Sequence, residues 1–145
     1  MSYLAVDPGL STGWALLGDS GWLARCGRGQ IFPACRFAII ELPQVYRPSG
    51  SPAPPDDIVT LAVRVGQYKE RLEARGAKVQ LVKPASWKGQ VKKDVHHQRI
   101  FAKLTQIERT AARECLKGVT EKQAEDVWDA IGLAKWAWGH DRFGA

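Results

Sequence analysis

The first nine residues constrain this chain more than any others. Tyr3-Leu4-Ala5-Val6 is a short apolar run that stops at Asp7, and Pro8-Gly9 follows at once. An apolar run closed by turn residues predicts a buried strand. It also sets an ionisable group at the strand's end. A carboxylate there is costly unless it is hydrogen-bonded, paired or bound to a cation. Whatever fold the chain adopts must give Asp7 a partner.

A second acid stands in the same position. Phe37-Ala38-Ile39-Ile40 is another buried run, and it ends at Glu41. In open α/β sheets ligands gather outside the carboxyl ends of the strands. If these two strands are parallel neighbours, Asp7 and Glu41 lie side by side there. Residues 12–17 and 22–31 read as strands separated by Gly18-Asp19-Ser20-Gly21, so the first third is predicted as an antiparallel meander. Residues 79–82 give a fifth strand.

Helical periodicity takes over in the second half. Ile58, Leu61, Val65, Tyr68 and Leu72 form one stripe over a helix at about 57–75, with Gly76 as its C-cap. A strict 3-4 stripe suits packing on a sheet, or a seam between two subunits. Before it, residues 46–57 hold four prolines, one glycine and two serines and read as a long loop. Residues 84–93 are irregular or a short helical turn. Residues 94–107 read as a helix burying Val95, Ile100, Leu104 and Ile107, with further helix up to Gly118. The last helix spans 120–138, with Thr120 and Gln123 as a capping box and Val127, Ile131, Ala134 and Trp138 as its apolar stripe. The expected class is α/β: a five-stranded mixed sheet, three antiparallel meander strands plus two parallel ones, flanked by helices. The 145 residues suit a single domain, 1–145.

The last helix adds Asp126 and Asp129. Three residues apart, they share a face and sit about 4.5 Å apart along the axis. Spacing alone also fits two surface acids on an amphipathic helix. Glu125 is a rival for Asp126, since it too shares a face with Asp129. Taken with Asp7 and Glu41, the acids make four hard oxygen donors that suit Mg²⁺ or Mn²⁺. Two such ions about 4 Å apart can clamp a phosphodiester.

The net charge is +6 and the pI about 9.4. From Lys83 to Lys117 nine Lys or Arg face three acids, so the whole excess sits in one segment. That favours a polyanionic partner, although a solvated helix face carries the same composition. His96 and His97 are candidates for phosphate contact or proton transfer, or two partly exposed helix histidines. Trp87 reads as a packing residue that could also stack. Cys26, Cys35 and Cys115 are odd in number and widely spaced, without a CxxC pair, which argues for free thiols and against zinc. No signal peptide and no apolar stretch of about 20 residues is present. A cytoplasmic protein without membrane association is expected.

Asp7-Pro8-Gly9 followed by Ser11-Thr12-Gly13-Trp14-Ala15 resembles the first motif of RuvC-type Holliday-junction resolvases. Ile40-Glu41 resembles their second acidic motif, and Asp126-Val127-Trp128-Asp129-Ala130 their C-terminal one. Trp87-Lys88-Gly89-Gln90 and the chain's compactness resemble phage-encoded members. The order and spacing hold over nearly the whole chain. The resemblance implies a ribonuclease H-like fold, a homodimer, two divalent ions per site and cleavage of four-way DNA junctions by symmetric paired nicks. It makes Asp7, Glu41, Asp126 and Asp129 catalytic metal ligands. It implies that Tyr46 stacks on bases near the junction, though Tyr46 lies about two residues further from Glu41 than in the family. Arg47, Lys83, Lys88, Lys92, Lys93 and Arg99 become DNA contacts. Rival expectations are a nuclease of the same fold acting on RNA or RNA–DNA hybrids, and a non-catalytic nucleic-acid-binding module. An actin-like ATPase, whose phosphate loop shares the DxGxxxxG pattern, needs two lobes and a longer chain.

Overall fold

A computed structural model describes residues 2–9, 11–44, 52–89 and 92–143. Tyr46 and Arg47 lie outside them. Five strands form one sheet: β1 (Tyr3–Asp7), β2 (Gly13–Leu17), β3 (Leu23–Arg28), β4 (Phe37–Glu41) and β5 (Lys78–Val82). Their spatial order is β3-β2-β1-β4-β5. β1, β2 and β3 are antiparallel, while β4 runs parallel to both β1 and β5. This is the mixed sheet expected from the sequence. β3 ends earlier than the apolar pattern suggested, because Gly29 turns with φ +102 and donates its N–H to the Thr12 carbonyl.

Alternation along the strands divides the core in two. Leu4 and Val6 of β1 and Ala38 and Ile40 of β4 face α1 (Pro55–Ala74), where they meet Val65, Tyr68 and Leu72. The C-terminal part of the helical stripe therefore packs on the sheet, while Ile58 and Leu61 are only partly buried. Pro55 opens α1 and Asp56 and Asp57 fall in its first turn, so the helix starts two residues before its expected position. Pro at the first helical position loses no hydrogen bond, and acids there suit the helix dipole. Gly76 follows the C-cap Arg75 with φ +90.

The opposite face carries Ala5, Ala15, Leu17 and Ile39. It is covered by α4 (Glu121–Gly139), whose Val127, Ala130, Ile131 and Ala134 are fully buried. Thr120 and Gln123 close the expected capping box. Strand alternation puts Asp7 and Glu41 on this same face, so both acids point toward α4.

The single helix expected over 94–107 is two helices. α2 (Lys93–Lys103) ends at Leu104, and α3 (Gln106–Cys115) begins with Thr105 as its N-cap. Thr105 and Glu108 form a reciprocal capping box that outcompetes continuation of α2. The break leaves Ile107 65% exposed, against its expected burial, whereas Ile100 and Leu104 are buried. Glu108 is buried instead. Its carboxylate also accepts from Leu23 N at 2.9 Å and from Lys135 Nζ at 2.8 Å. Residues 84–86 form a short 3-10 turn that leads the chain back toward β4.

Candidate metal centre

The centre starts from strand register. Val6 pairs with Ile40 in the parallel ladder, so the next residues, Asp7 and Glu41, stand together at the sheet's carboxyl edge. Both are buried. The Asp7 Oδ1 accepts the Gly9 N–H at 3.1 Å, which ties the carboxylate to its own turn.

Glycines let α4 reach that turn. A Cβ on Gly13 would sit 2.2 Å from the Asp126 carbonyl carbon and oxygen. A Cβ on Gly9 would meet the Asp126 carboxylate at 2.4 Å. Each glycine therefore answers a close approach of the last helix. On the other side, α1 anchors the same turn. Arg64 Nη1 donates to the Gly9 carbonyl at 3.0 Å, and Tyr68 Oη lies 2.8 Å from Thr12 Oγ1. The turn is thus clamped between the helices of both layers.

Against this turn α4 sets its two acids. Asp126 Oδ2 accepts from Ser11 N at 3.0 Å, and Asp129 is 2% exposed. One carboxylate oxygen from each of Asp7, Asp126 and Asp129 lies within 4.8 Å of the others. Glu41 is not part of this triplet. Its carboxylate accepts from Trp87 Nε1 at 2.7 Å and from Lys88 Nζ at 3.0 Å. Glu125 is not part of it either; it pairs with Lys93 at 3.3 Å, and the geometry selects Asp126 over it.

Cations from the 84–103 segment ring the acids. Lys88 Nζ also approaches Asp129 Oδ2 at 3.5 Å, and Lys93 Nζ does so at 3.7 Å. His97 Nε2 lies 3.0 Å from Asp129 Oδ1, and His96 Nε2 4.0 Å from it. Lys88 and Lys93, which the sequence assigns to DNA contact, both lie against carboxylates here; the Lys88 side chain is largely covered, whereas that of Lys93 is half exposed. Lys83, Lys92 and Arg99 remain exposed.

The charge balance is uneven. Burial pushes the Asp7 carboxyl well above the ordinary range, and repulsion from Glu41 and Asp129 adds to it. Burial raises Glu41 too, although the Lys88 ammonium opposes it. Asp126 is raised by burial, with the Ser11 N–H pulling the other way. Asp129 behaves oppositely. Burial would raise it, but the His97 hydrogen bond and the charges of Lys88 and Lys93 overcome that and hold it well below the usual value. Lys88 is held protonated by Glu41, Asp129 and Asp7 despite its own burial.

This donor set fits a hard divalent cation. The donors are carboxylate oxygens on a strand and a helix, and the Lys88 ammonium only partly offsets the burial and like charge that act on Asp7. Asp7, Asp126 and Asp129, which each bring one carboxylate oxygen within 4.8 Å of the other two, are the residues that would hold such an ion.

The sequence reading missed the roles of the 87–97 segment. Trp87 was read as packing, and it does pack on the α4 core, but its indole N–H also orients Glu41. His97 was one of two equal candidates; the structure gives it the direct contact with Asp129. No periodicity marks these residues, since they lie on an irregular return and an early helical turn. The nearest signal was the cluster of Trp, Lys and His itself.

The architecture is that of the ribonuclease H-like fold as found in RuvC. No family model matches the chain, and no curated protein matches it in sequence. Among solved structures it is similar to T. thermophilus RuvC in complex with a Holliday junction substrate, with a TM-score of 0.58 and 14% identity over 98% of this chain and 96% of that one. At that identity the likeness establishes the fold.

Proposed function

We propose that the chain is a divalent-metal-dependent DNA endonuclease that cuts four-way junctions by paired nicks. The observation that carries this reading is the carboxylate triplet Asp7, Asp126 and Asp129 at the carboxyl edge of the sheet. The fold shared with a protein solved on a Holliday junction substrate supports the choice of substrate.

In this reading Asp7, Asp126 and Asp129 hold the ion, and Glu41 completes a second position once Lys88 lets it go. The chemistry that Mg²⁺ or Mn²⁺ would supply there is activation of a water and stabilisation of the leaving 3′-oxygen. The chain's own residues do the rest. Gly9 N–H and Ser11 N–H, from one turn, fix the carboxylates of Asp7 and Asp126. His97 orients Asp129. Lys88 and Lys93 balance the acids before the ion arrives, and with the acids neutralised they turn to the phosphodiester. Lys83, Lys92 and Arg99 contact neighbouring phosphates, which positions the duplex without reading sequence. Tyr46 and Arg47, which lie outside the described residues, are DNA contacts in this reading.

A homodimer explains two symmetric cuts, because a two-fold axis presents one site to each of two strands. The reading treats 1–145 as one nuclease domain acting in the cytoplasm. The test compares a labelled four-way junction, a linear duplex and an RNA–DNA hybrid, each with and without Mg²⁺. Junction-selective, metal-dependent cleavage is expected. Preferential cutting of the hybrid would assign the fold to RNA work instead, and binding without cleavage would make it a non-catalytic module. Sedimentation should show a dimer at micromolar concentration.

A further inference from the structure

Behind the acidic cluster, between α2 and α4, lies a cavity of about 310 Å³. Its wall carries Lys88, Arg99, Lys103 and Lys135, two histidines and two tryptophans, and no acidic residue. Cavities of this size commonly take small molecules. Two of the cations are already committed: Lys88 to Glu41 and Asp129, and Lys135 to Glu108 and the Gly21 carbonyl. Arg99 and Lys103 are different. They stand one helical turn apart on α2, are exposed, and make no ion pair with any described residue. A cavity with aromatic walls and an unneutralised cationic rim calls for a ligand that is both aromatic and anionic.

Its position narrows the choice. Trp87, Lys88 and His96 form a partition shared with the acidic cluster. On one side Trp87 Nε1 and Lys88 Nζ hold Glu41, and His96 Nε2 lies 4.0 Å from Asp129. On the other side the same three residues line the cavity. The buried His96 Nε2 has no hydrogen-bond partner among the described residues. The floor exists because residue 132 is glycine: a Cβ there would run into Ile100 Cδ1 at 2.4 Å and Trp87 at 3.0 Å. One layer of side chains therefore separates the acidic cluster from the cavity.

We infer that the cavity between α2 and α4 seats one unpaired nucleotide of the DNA strand next to the scissile phosphate. Its base lies against Trp87 and Trp136, and its phosphate meets Arg99 and Lys103. Aromatic contact with an unstacked base is sequence-tolerant, because every base offers a π-face. The inference rests on the nuclease reading for the source of the nucleotide. The chemistry of the cavity stands apart from it.

The two parts separate experimentally. The isotope-labelled full chain is titrated with dTMP, with inorganic phosphate and with thymidine, following the indole N–H resonances. The resonances of Trp87 and Trp136 should move with dTMP, while those of Trp14 and Trp22 stay. Phosphate or thymidine alone should bind at least about tenfold more weakly, the equivalent of ~1.4 kcal/mol. The paired surface change Arg99→Ala with Lys103→Ala should weaken dTMP to a similar degree, and it avoids the folding risk of Trp136→Leu. Silence at Trp87 and Trp136, or equal binding of phosphate alone, overturns the nucleotide seat. A four-way junction carrying an iodinated deoxyuridine on either side of the cut, held in Ca²⁺, then tests the source. A photocrosslink to the peptide containing Trp136 is expected from one flanking position. If dTMP binds and the bound junction never crosslinks there, the cavity serves free nucleotides and the strand assignment falls. If no junction binds, the nuclease reading fails while the dTMP titration still decides the cavity.

Discussion

Lys88 bridges Glu41 and Asp129: its Nζ lies 3.0 Å from the Glu41 Oε1 and 3.5 Å from the Asp129 Oδ2. An ammonium placed there competes with a divalent ion for the same oxygens. Replacing Lys88 with Ala should therefore tighten Mg²⁺ binding at pH 8 by about tenfold, an effect of ~1.4 kcal/mol. Cleavage should nevertheless fall at least about tenfold, because the cation facing the phosphodiester is gone. Calorimetry of metal binding beside a cleavage assay separates the two effects. Weaker metal binding in the variant would show that Lys88 builds the site instead of competing for it.

Asp7 is the least compensated member of the cluster. Its carboxyl is raised by burial and by the neighbouring acids, so the folded chain holds that proton more tightly than the unfolded chain does. The sign follows from linkage. A raised carboxyl costs stability as pH climbs above the unfolded value of about 3.9, and costs nothing below it. Without metal at pH 8, Asp7→Asn should melt higher, by on the order of 1 kcal/mol or about 2–4 °C. Near pH 3 the difference should vanish. A variant that melts lower at pH 8 would mean that the ionised Asp7 is a stabilising group.

The turn after β1 tolerates no side chain at its end. Gly13→Ala would place a Cβ 2.2 Å from the Asp126 backbone, so α4 must move away from the sheet. The expected cost is about 3 kcal/mol, at the upper end for overpacking. Asp126 should move with the helix, so metal affinity should fall along with the melting temperature. Urea denaturation and metal titration of the same sample check both.

Much of this arrangement was readable from residues alone, and the reason is strand geometry. A carboxylate that ends an apolar run, twice, is visible in one dimension; that β1 and β4 pair in parallel, which brings the two acids together, is shown only by the fold. Asp126 and Asp129 were legible through helix spacing. Lys88, Trp87 and His97 were not, because an irregular return brings them in and no period encodes its path. Two misreadings share one cause. Thr105 and Glu108 carry a capping box inside an apolar pattern that looks continuous, so Ile107 seemed a core position and Glu108 only a charge. Gly9 reads as a turn residue and Gly13 as the start of a strand; their closeness to α4 is a tertiary fact.

Glu108 makes that missed break measurable. It is 1% exposed and accepts from Lys135, Leu23 N and Thr105 N. Burial would raise its carboxyl, but the Lys135 hydrogen bond and the two N–H donors overcome this and lower it. A lowered carboxyl stabilises the fold above its unfolded value of about 4.3, and that stability is lost as pH falls through the folded value. Glu108→Gln should cost about 2 kcal/mol at pH 7. The gap from wild type should narrow steadily below pH 4. A gap independent of pH would assign the loss to packing.

The account stands most directly on one experiment: mapping nicks, strand by strand, on a four-way junction incubated with the intact chain. With Mg²⁺, nicks should appear at symmetric positions in two strands, with none in a linear duplex of the same sequence. Without metal, or with Asp7→Asn, the junction should be bound and left whole. Nicking that persists in EDTA or in Asp7→Asn would contradict the carboxylate centre as the seat of the chemistry.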